Sequence, residues 1–313
     1  MAWRTWRQAM ADALYGDGGF YVGTDVPARH FRTAAHTGQV WATAMAELGR
    51  RVDSALGEPD AFTFVDVGAG GGELLTRLAE LAPPRWSLLG IDVARRPPAL
   101  PARVGWQRQF PDEVHGVVLA VELLDVVPLD SVELTADGMR VVEVDDEGLE
   151  RIGAKAEPAD RDWIARWWPL RALGERAEVG HPREAMWREI TDRISSGLAL
   201  AVDYAANPAE HLAGTLTGYR NGHPRTPVPD GSMDLTSHVL FESLLSAGDT
   251  LLAQREALRR LGVVATPPDY RNDPEVYLTE LTRASEAAEL MNPYTFGGFT
   301  WLLHPVGIPQ LFR

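Results

Sequence analysis

A doubly wound α/β sheet is the fold that the sequence predicts, from three apolar runs and what lies between them. Phe62–Val67 is short, β-branched and aromatic, Leu74–Leu81 has helical character, and Trp86–Ile91 is apolar again, which makes a βαβ unit. Gly116–Val121 reads as a central parallel strand because it is apolar on both faces. Leu198–Tyr204 resumes the same pattern much later in the chain, and strands alternating with helices are the signature of a doubly wound sheet.

The other elements follow in chain order. Ala2–Leu14 reads as a short amphipathic helix that ends at Gly16-Asp-Gly-Gly19, with an irregular stretch to about Thr37. From Gly38 to Leu56 the residues Val40, Trp41, Ala44, Met45, Leu48 and Val52 recur at spacings of three and four, so a helix is expected there. Val104–Trp106 is a candidate third strand. Ser131–Val144 reads as two short strands around the turn Ala136-Asp-Gly138, and Asp160–Ala177 as a helix carrying Trp163, Trp167 and Trp168. Core packing of a small subdomain is favoured for these tryptophans over an aromatic cage. Ser237–Ala247 and Thr250–Leu261 read as helices, Pro224–Pro229 as a turn-rich loop and Phe299–His304 as a closing strand. The predicted organisation is an N-terminal helical region at 1–57, a core at 58–130 and 197–313, and an inserted strand and helix subdomain at 131–196.

Composition narrows the function. Hydrophobic residues make up 45% and charged residues 24% of the 313, as in a folded globular chain. A net charge of −14 disfavours nucleic acid, whose phosphates are bound by clustered Lys and Arg. With no cysteine, disulfides, thiolate zinc sites and cysteine nucleophiles are excluded. The eight histidines show no zincin spacing, and no metal is expected. No window approaches the roughly 18 to 20 apolar residues of a membrane span; the expectation is no membrane insertion and a cytoplasmic location.

The chemistry is concentrated in Val65-Asp-Val-Gly-Ala-Gly-Gly-Gly-Glu-Leu-Leu75. Gly68, Gly70 and Gly72 let the backbone turn tightly and approach a ligand, and the helix behind them presents free N–H groups. Asp66 can orient the turn or bind a cationic amino-acid group. Asp92, twenty residues beyond Gly72, is placed to accept hydrogen bonds from ribose hydroxyls. A dinucleotide fold would want its third glycine at position 73, where Glu73 stands unfavourably for a pyrophosphate; a turn that only joins strand to helix is the plainer alternative. The acid before the turn favours S-adenosylmethionine as the cofactor.

Beyond this turn the chain resembles the MidA-like family, which includes the mitochondrial complex I assembly arginine methyltransferase. The carriers are Tyr15-Gly-Asp-Gly-Gly-Phe-Tyr21, Phe31-Arg-Thr-Ala-Ala35, the glycine turn, Glu122-Leu-Leu-Asp-Val-Val-Pro128, Val202-Asp-Tyr204, Gly214-Thr-Leu-Thr-Gly-Tyr-Arg220 and Asp234-Leu-Thr-Ser-His238. The resemblance implies a Rossmann-like class I methyltransferase sheet with an N-terminal helical region and an inserted helical subdomain. The chain departs from the family at Val121, where Asn is usual, and at Gly71, where Arg is frequent.

The expected activity is S-adenosylmethionine-dependent methyl transfer to a protein or peptide side chain, with arginine favoured by the resemblance. A small molecule or peptide natural product as acceptor, and a non-catalytic cofactor-binding assembly factor, are the alternatives. A guanidinium acceptor needs carboxylates to orient it and take its proton, so Glu122 and Asp125 are the candidate catalytic residues. A cap or loop brace is the plainer role for each. The candidate cofactor-binding residues are Asp66, Gly68, Gly70, Gly72, Asp92 and Thr33. Asp203 and Tyr204 are candidate lining of an acceptor pocket, and for His36 and His238 a structural role is favoured.

Overall fold

Apolar runs flanked by helices can bury both faces of a sheet, and the largest sheet of the protein is built this way. The computed structural model describes residues 2–22, 38–267 and 274–312. They form two compact units: a sheet unit from 38–122, 190–203, 246–267 and 274–312, and an accessory unit from 2–22, 123–189 and 204–245. The predicted N-terminal region 1–57 is thus shared between them.

The sheet unit contains β1 (Phe62–Val67), β2 (Trp86–Ile91), β3 (Val104–Gln107), β4 (Val114–Val121), β5 (Ile194–Asp203), β6 (Thr250–Ala253) and β7 (Thr300–Val306). Their spatial order is β6-β7-β5-β4-β1-β2-β3. Strands β1 to β5 are mutually parallel, and β7 runs antiparallel to both β5 and β6. The strand order reverses between β1 and β4, which is the switch point where open α/β sheets bind ligands. Gly116 and Gly197 lie opposite each other in β4 and β5. A Cβ on Gly197 would stand 1.8 Å from the Gly116 carbonyl oxygen, so the backbones meet at a distance only glycine allows.

Helix Gln39–Ala55 covers this sheet with Trp41, Met45, Leu48 and Val52, the residues whose spacing predicts it. Trp41 meets Trp301 of β7 edge to face at 5.9 Å. The Trp86 indole donates to Asp53 at 3.1 Å, and Arg85 pairs with the same carboxylate. Gln254 opens helix Gln254–Arg260 and is wholly buried. Its amide donates to the Leu290 carbonyl at 3.2 Å and accepts from the Trp301 indole at 3.1 Å, which links three elements.

The accessory unit is richer in strands than the sequence predicts. Gly138–Val144 pairs with Arg4–Thr5, Ser131–Thr135 and Glu150–Lys155, and Ser131–Thr135 pairs in turn with Arg176–Glu178. A second small sheet has Thr217–Arg220 between His223–Arg225 and Asp234–Thr236. Helix Trp6–Tyr15 starts with a capping box between Thr5 and Gln8 and buries Trp6, Met10 and Leu14.

Three helix expectations are corrected. The helix placed at 160–177 spans Pro158–Trp167; Pro169 halts it, and Arg176–Glu178 is claimed by strand pairing. Trp163 and Trp168 are core residues beside Val132 and Ile164, as favoured above. No α-helix forms over 237–247, because its amides bond elsewhere: Ser237 N–H to the Asp125 carbonyl and Val239 N–H to that of Tyr204, leaving a 3₁₀ turn at Phe241–Leu244. The stretch 250–261 is divided, since β6 pairs with β7 before the helix begins, an instance of sheet pairing overriding helix propensity. Among the described residues no helix is long and apolar enough to cross a membrane.

Replacing Gln254 by Leu strands the Trp301 indole and the Leu290 carbonyl in the core. The expected loss is about 2–4 kcal/mol in urea-unfolding measurements, against about 0.5 kcal/mol or less for Arg259→Gln on the surface.

Candidate active site

The glycine turn after β1 is assembled from backbone conformations that side chains disfavour. Gly68, Gly70 and Gly72 have φ of 74°, 55° and 73°. The amides of Gly68 and Ala69 both reach the Ile91 carbonyl, at 2.8 and 3.2 Å, which ties the turn to the end of β2. Gly72 caps helix Glu73–Leu81 without a side-chain hydrogen bond, as expected where first-turn N–H groups serve a ligand. A Cβ added to Gly70 would meet nothing within 4 Å. Space for a ligand therefore lies directly against the backbone.

Two carboxyl groups flank the turn. Asp92 accepts from the Gly70 amide at 2.8 Å and from the Ala94 amide at 2.7 Å. Burial raises its pKa, and the amides of Ala94, Gly70 and Val93 oppose that rise. Asp66 is buried one residue before the end of β1. Burial, reinforced by Asp92 and Glu73, pushes its pKa up to about 8. Three left-handed glycines, open space, a helix N-terminus and an acid held protonated until a cation arrives suit a ligand with an ammonium group and ribose hydroxyls. Thr33, named with this set, and His36 lie outside the described residues.

Glu122 is the first residue after β4, and its amide donates to the Val202 carbonyl at 2.9 Å. Its φ is 48°. That conformation costs an L-residue about 1–2 kcal/mol. Among the described residues only Glu58 and Asn221 share it without being glycine, and both lie in exposed turns, whereas Glu122 is half-buried beside the switch point. Val121 pairs with Val202, so Glu122 and the buried Asp203 end adjacent strands. Across β2, β1, β4 and β5 the carboxyl edge carries Asp92, Asp66, Glu122 and Asp203 in a row.

Asp125 does not join that row within the sheet unit. It is buried in the accessory unit, where its carbonyl accepts from Ser237 N–H at 3.0 Å and from Arg183 Nη2 at 3.1 Å. Arg183 is buried too and donates to the Ser237 carbonyl and hydroxyl, each at 2.7 Å, and to the His238 carbonyl at 2.5 Å. Nearby, Tyr21 donates to Asp234 at 2.7 Å and stacks on Tyr15. Burial pushes Asp234 up to about 6. Tyr21 is raised by burial, then by Asp234, Tyr15 and Asp125, and Tyr219 by burial, Asp125 and Asp234. Four separated sequence motifs therefore meet in one buried cluster. Tyr204 stacks on His238, whose pKa is lowered by burial and by His211. Arg183 and the Tyr21–Asp234 bond escape sequence reasoning, because Arg183 sits in no motif and a motif does not state its partner.

Comparison with known proteins agrees with this geometry. Residues 76–257, more than half of the chain, match the family described as "Putative S-adenosyl-L-methionine-dependent methyltransferase". A crystal structure from Burkholderia thailandensis, bound to S-adenosyl-homocysteine, superposes with a TM-score of 0.80 at 24% identity, covering 98% of this chain and 89% of that one. A native structure from the same organism gives 0.78 at 23% identity, covering 99% and 89%. Cellulose synthase operon protein C of Xanthomonas axonopodis pv. citri is 28% identical over 186 residues; the match covers 54% of this chain, which spans only 12% of that protein's length. With its glycine turn, its row of carboxyl groups and this family match, the chain belongs to a family of S-adenosylmethionine-dependent methyltransferases of the class I fold.

Proposed function

We propose that this protein methylates a side chain of a protein substrate, with arginine the favoured acceptor. The observation that carries the reading is the row Asp92, Asp66, Glu122 and Asp203 along one sheet edge, which suits a cationic acceptor beside a cationic cofactor. When bound, S-adenosylmethionine supplies a methyl group on a sulfonium. Asp66 holds its ammonium group, Asp92 its ribose hydroxyls, and the Gly68–Gly72 turn allows close approach of the backbone. Glu122 and Asp203 orient the guanidinium so that one nitrogen faces the methyl carbon, and Glu122 accepts the proton which that nitrogen loses on methylation.

Mass spectrometry of a lysate incubated with isotopically labelled S-adenosylmethionine is expected to find label on arginine of a protein. Label on a metabolite alone would transfer the reading to a small-molecule acceptor, and binding without any transfer would point to an assembly factor. Glu122→Gln should reduce transfer by about 100-fold or more while calorimetric affinity for S-adenosylhomocysteine stays within about twofold of the parent.

Gly70→Leu should weaken S-adenosylhomocysteine binding by about 100-fold, with about 1–2 kcal/mol of stability lost, because the new side chain meets no protein atom but occupies the ligand's space. Affinity should also depend on pH. Below about 8, Asp66 carries a proton that must leave before it can pair with an ammonium group. Binding is therefore expected to tighten by up to about tenfold per pH unit from about pH 6 and to level off above about 8. Asp66→Asn should bind more weakly and lose this slope.

A further inference from the structure

The accessory unit contains a cleft of about 490 Å³ that the methyl-transfer reading does not use. Its size falls within the roughly 300–1,000 Å³ of ligand pockets. The cleft lies between the turn at Gly148–Glu150, the strand Arg176–Glu178 and the loops around Ala213 and Pro227. All of its lining residues belong to the accessory unit.

Its wall chemistry is divided. Around the mouth are Leu149, Ala213, Leu216 and Pro227, and Leu149 is 63% exposed, an unusual state for a large aliphatic side chain. Deeper in are Glu150, Arg176 and Glu178. Arg176 donates through Nε to Glu133 at 2.9 Å and through Nη1 to Glu150 at 2.7 Å. The Trp6 indole donates to the other oxygen of Glu150 at 2.8 Å. Glu178 is buried and accepts from the amides of Thr215 and Leu216 at 2.6 and 3.1 Å and from the Thr215 hydroxyl at 3.0 Å.

These bonds make the carboxylates rigid and leave an excess of negative charge: three carboxylates surround one guanidinium. Each Glu150 oxygen accepts one hydrogen bond in the structure, and a carboxylate has about four acceptor positions, so acceptor capacity remains. An anion is disfavoured here. An apolar collar above an acidic floor matches a side chain with an aliphatic stem and a cationic head, which is the chemistry of lysine and arginine.

We infer that this cleft binds a lysine or arginine side chain of the polypeptide that carries the methyl acceptor, as a docking site additional to the carboxyl edge of the sheet unit. The inference rests on the protein-substrate reading above. It explains why the collar leaves Leu149 exposed, and why Arg176 is present: one guanidinium fixes two carboxylates in place without neutralising the pocket.

The test uses the full chain and a fluorescein-labelled heptapeptide with one arginine among Leu and Gly, compared with the same peptide carrying norleucine instead. Fluorescence anisotropy should show the arginine peptide binding at least about tenfold more tightly, and more weakly as salt rises. Ala213→Lys, which sets a tethered cation at the exposed rim, and Glu150→Gln, which keeps the Trp6 hydrogen bond, should each reduce binding about tenfold or more with the unfolding temperature maintained. Gly70→Leu should leave it unchanged. Equal binding of the norleucine peptide, no binding of either up to about 1 mM, full binding by both rim and floor variants, or equal affinity for free spermidine would each overturn the inference. Failure of the protein-substrate reading shows differently, as absence of label on protein in the lysate assay with peptide binding intact.

Discussion

The hydrogen bond from the Gly70 amide to the Asp92 carboxylate joins the loop after β1 to the loop after β2, and the Gly68 and Ala69 amides complete the link by sharing the Ile91 carbonyl. Around it the chain must adopt three left-handed residues in five positions, which only glycine does at little cost. Once that turn is held, helix Glu73–Leu81 starts with its N-terminus at the carboxyl edge of the sheet, and the open space over Gly70 has a defined floor. The register of the parallel strands then brings Asp66, Glu122 and Asp203 to the same edge.

Gathering four carboxyl groups on one edge is electrostatically unfavourable in an unliganded protein. The strain is visible at Asp66, whose pKa stands near 8 because burial and its acidic neighbours resist ionisation. Asp92 avoids the same fate in part by accepting backbone amides. A site with these properties discriminates by charge: a cation relieves the repulsion, whereas a pyrophosphate would increase it. The left-handed backbone at Glu122 is a further cost, retained where it aims a carboxylate beyond the end of the central strand.

In the accessory unit the organising group is a buried cation. Arg183 reaches main-chain carbonyls of Asp125, Ser237 and His238, so the segment after β4 and the segment after Asp234–Thr236 are fixed to one guanidinium. The amides of 237–239 are thereby committed to other segments, which is why no helix forms there. Arg176 has the corresponding task at the cleft, with two carboxylates as its partners.

Much of this was legible in the linear sequence. The βαβ unit, the glycine turn with its preceding Asp66 and following Asp92, the helix at 39–55 and the tryptophan core near Ile164 all follow from local rules of periodicity and backbone preference, which act over a few residues. The φ of Glu122, the protonated state of Asp66, the assignment of Asp125 to a different unit from Glu122, the strands in place of a helical insertion and the cleft at Arg176 were decided only by tertiary structure. Each depends on partners tens to hundreds of residues away, such as Trp6 with Glu150 or Tyr21 with Asp234. Local sequence determines which conformations a segment prefers; burial and the hydrogen bonds available in the folded chain determine which one it keeps and what charge its side chains carry.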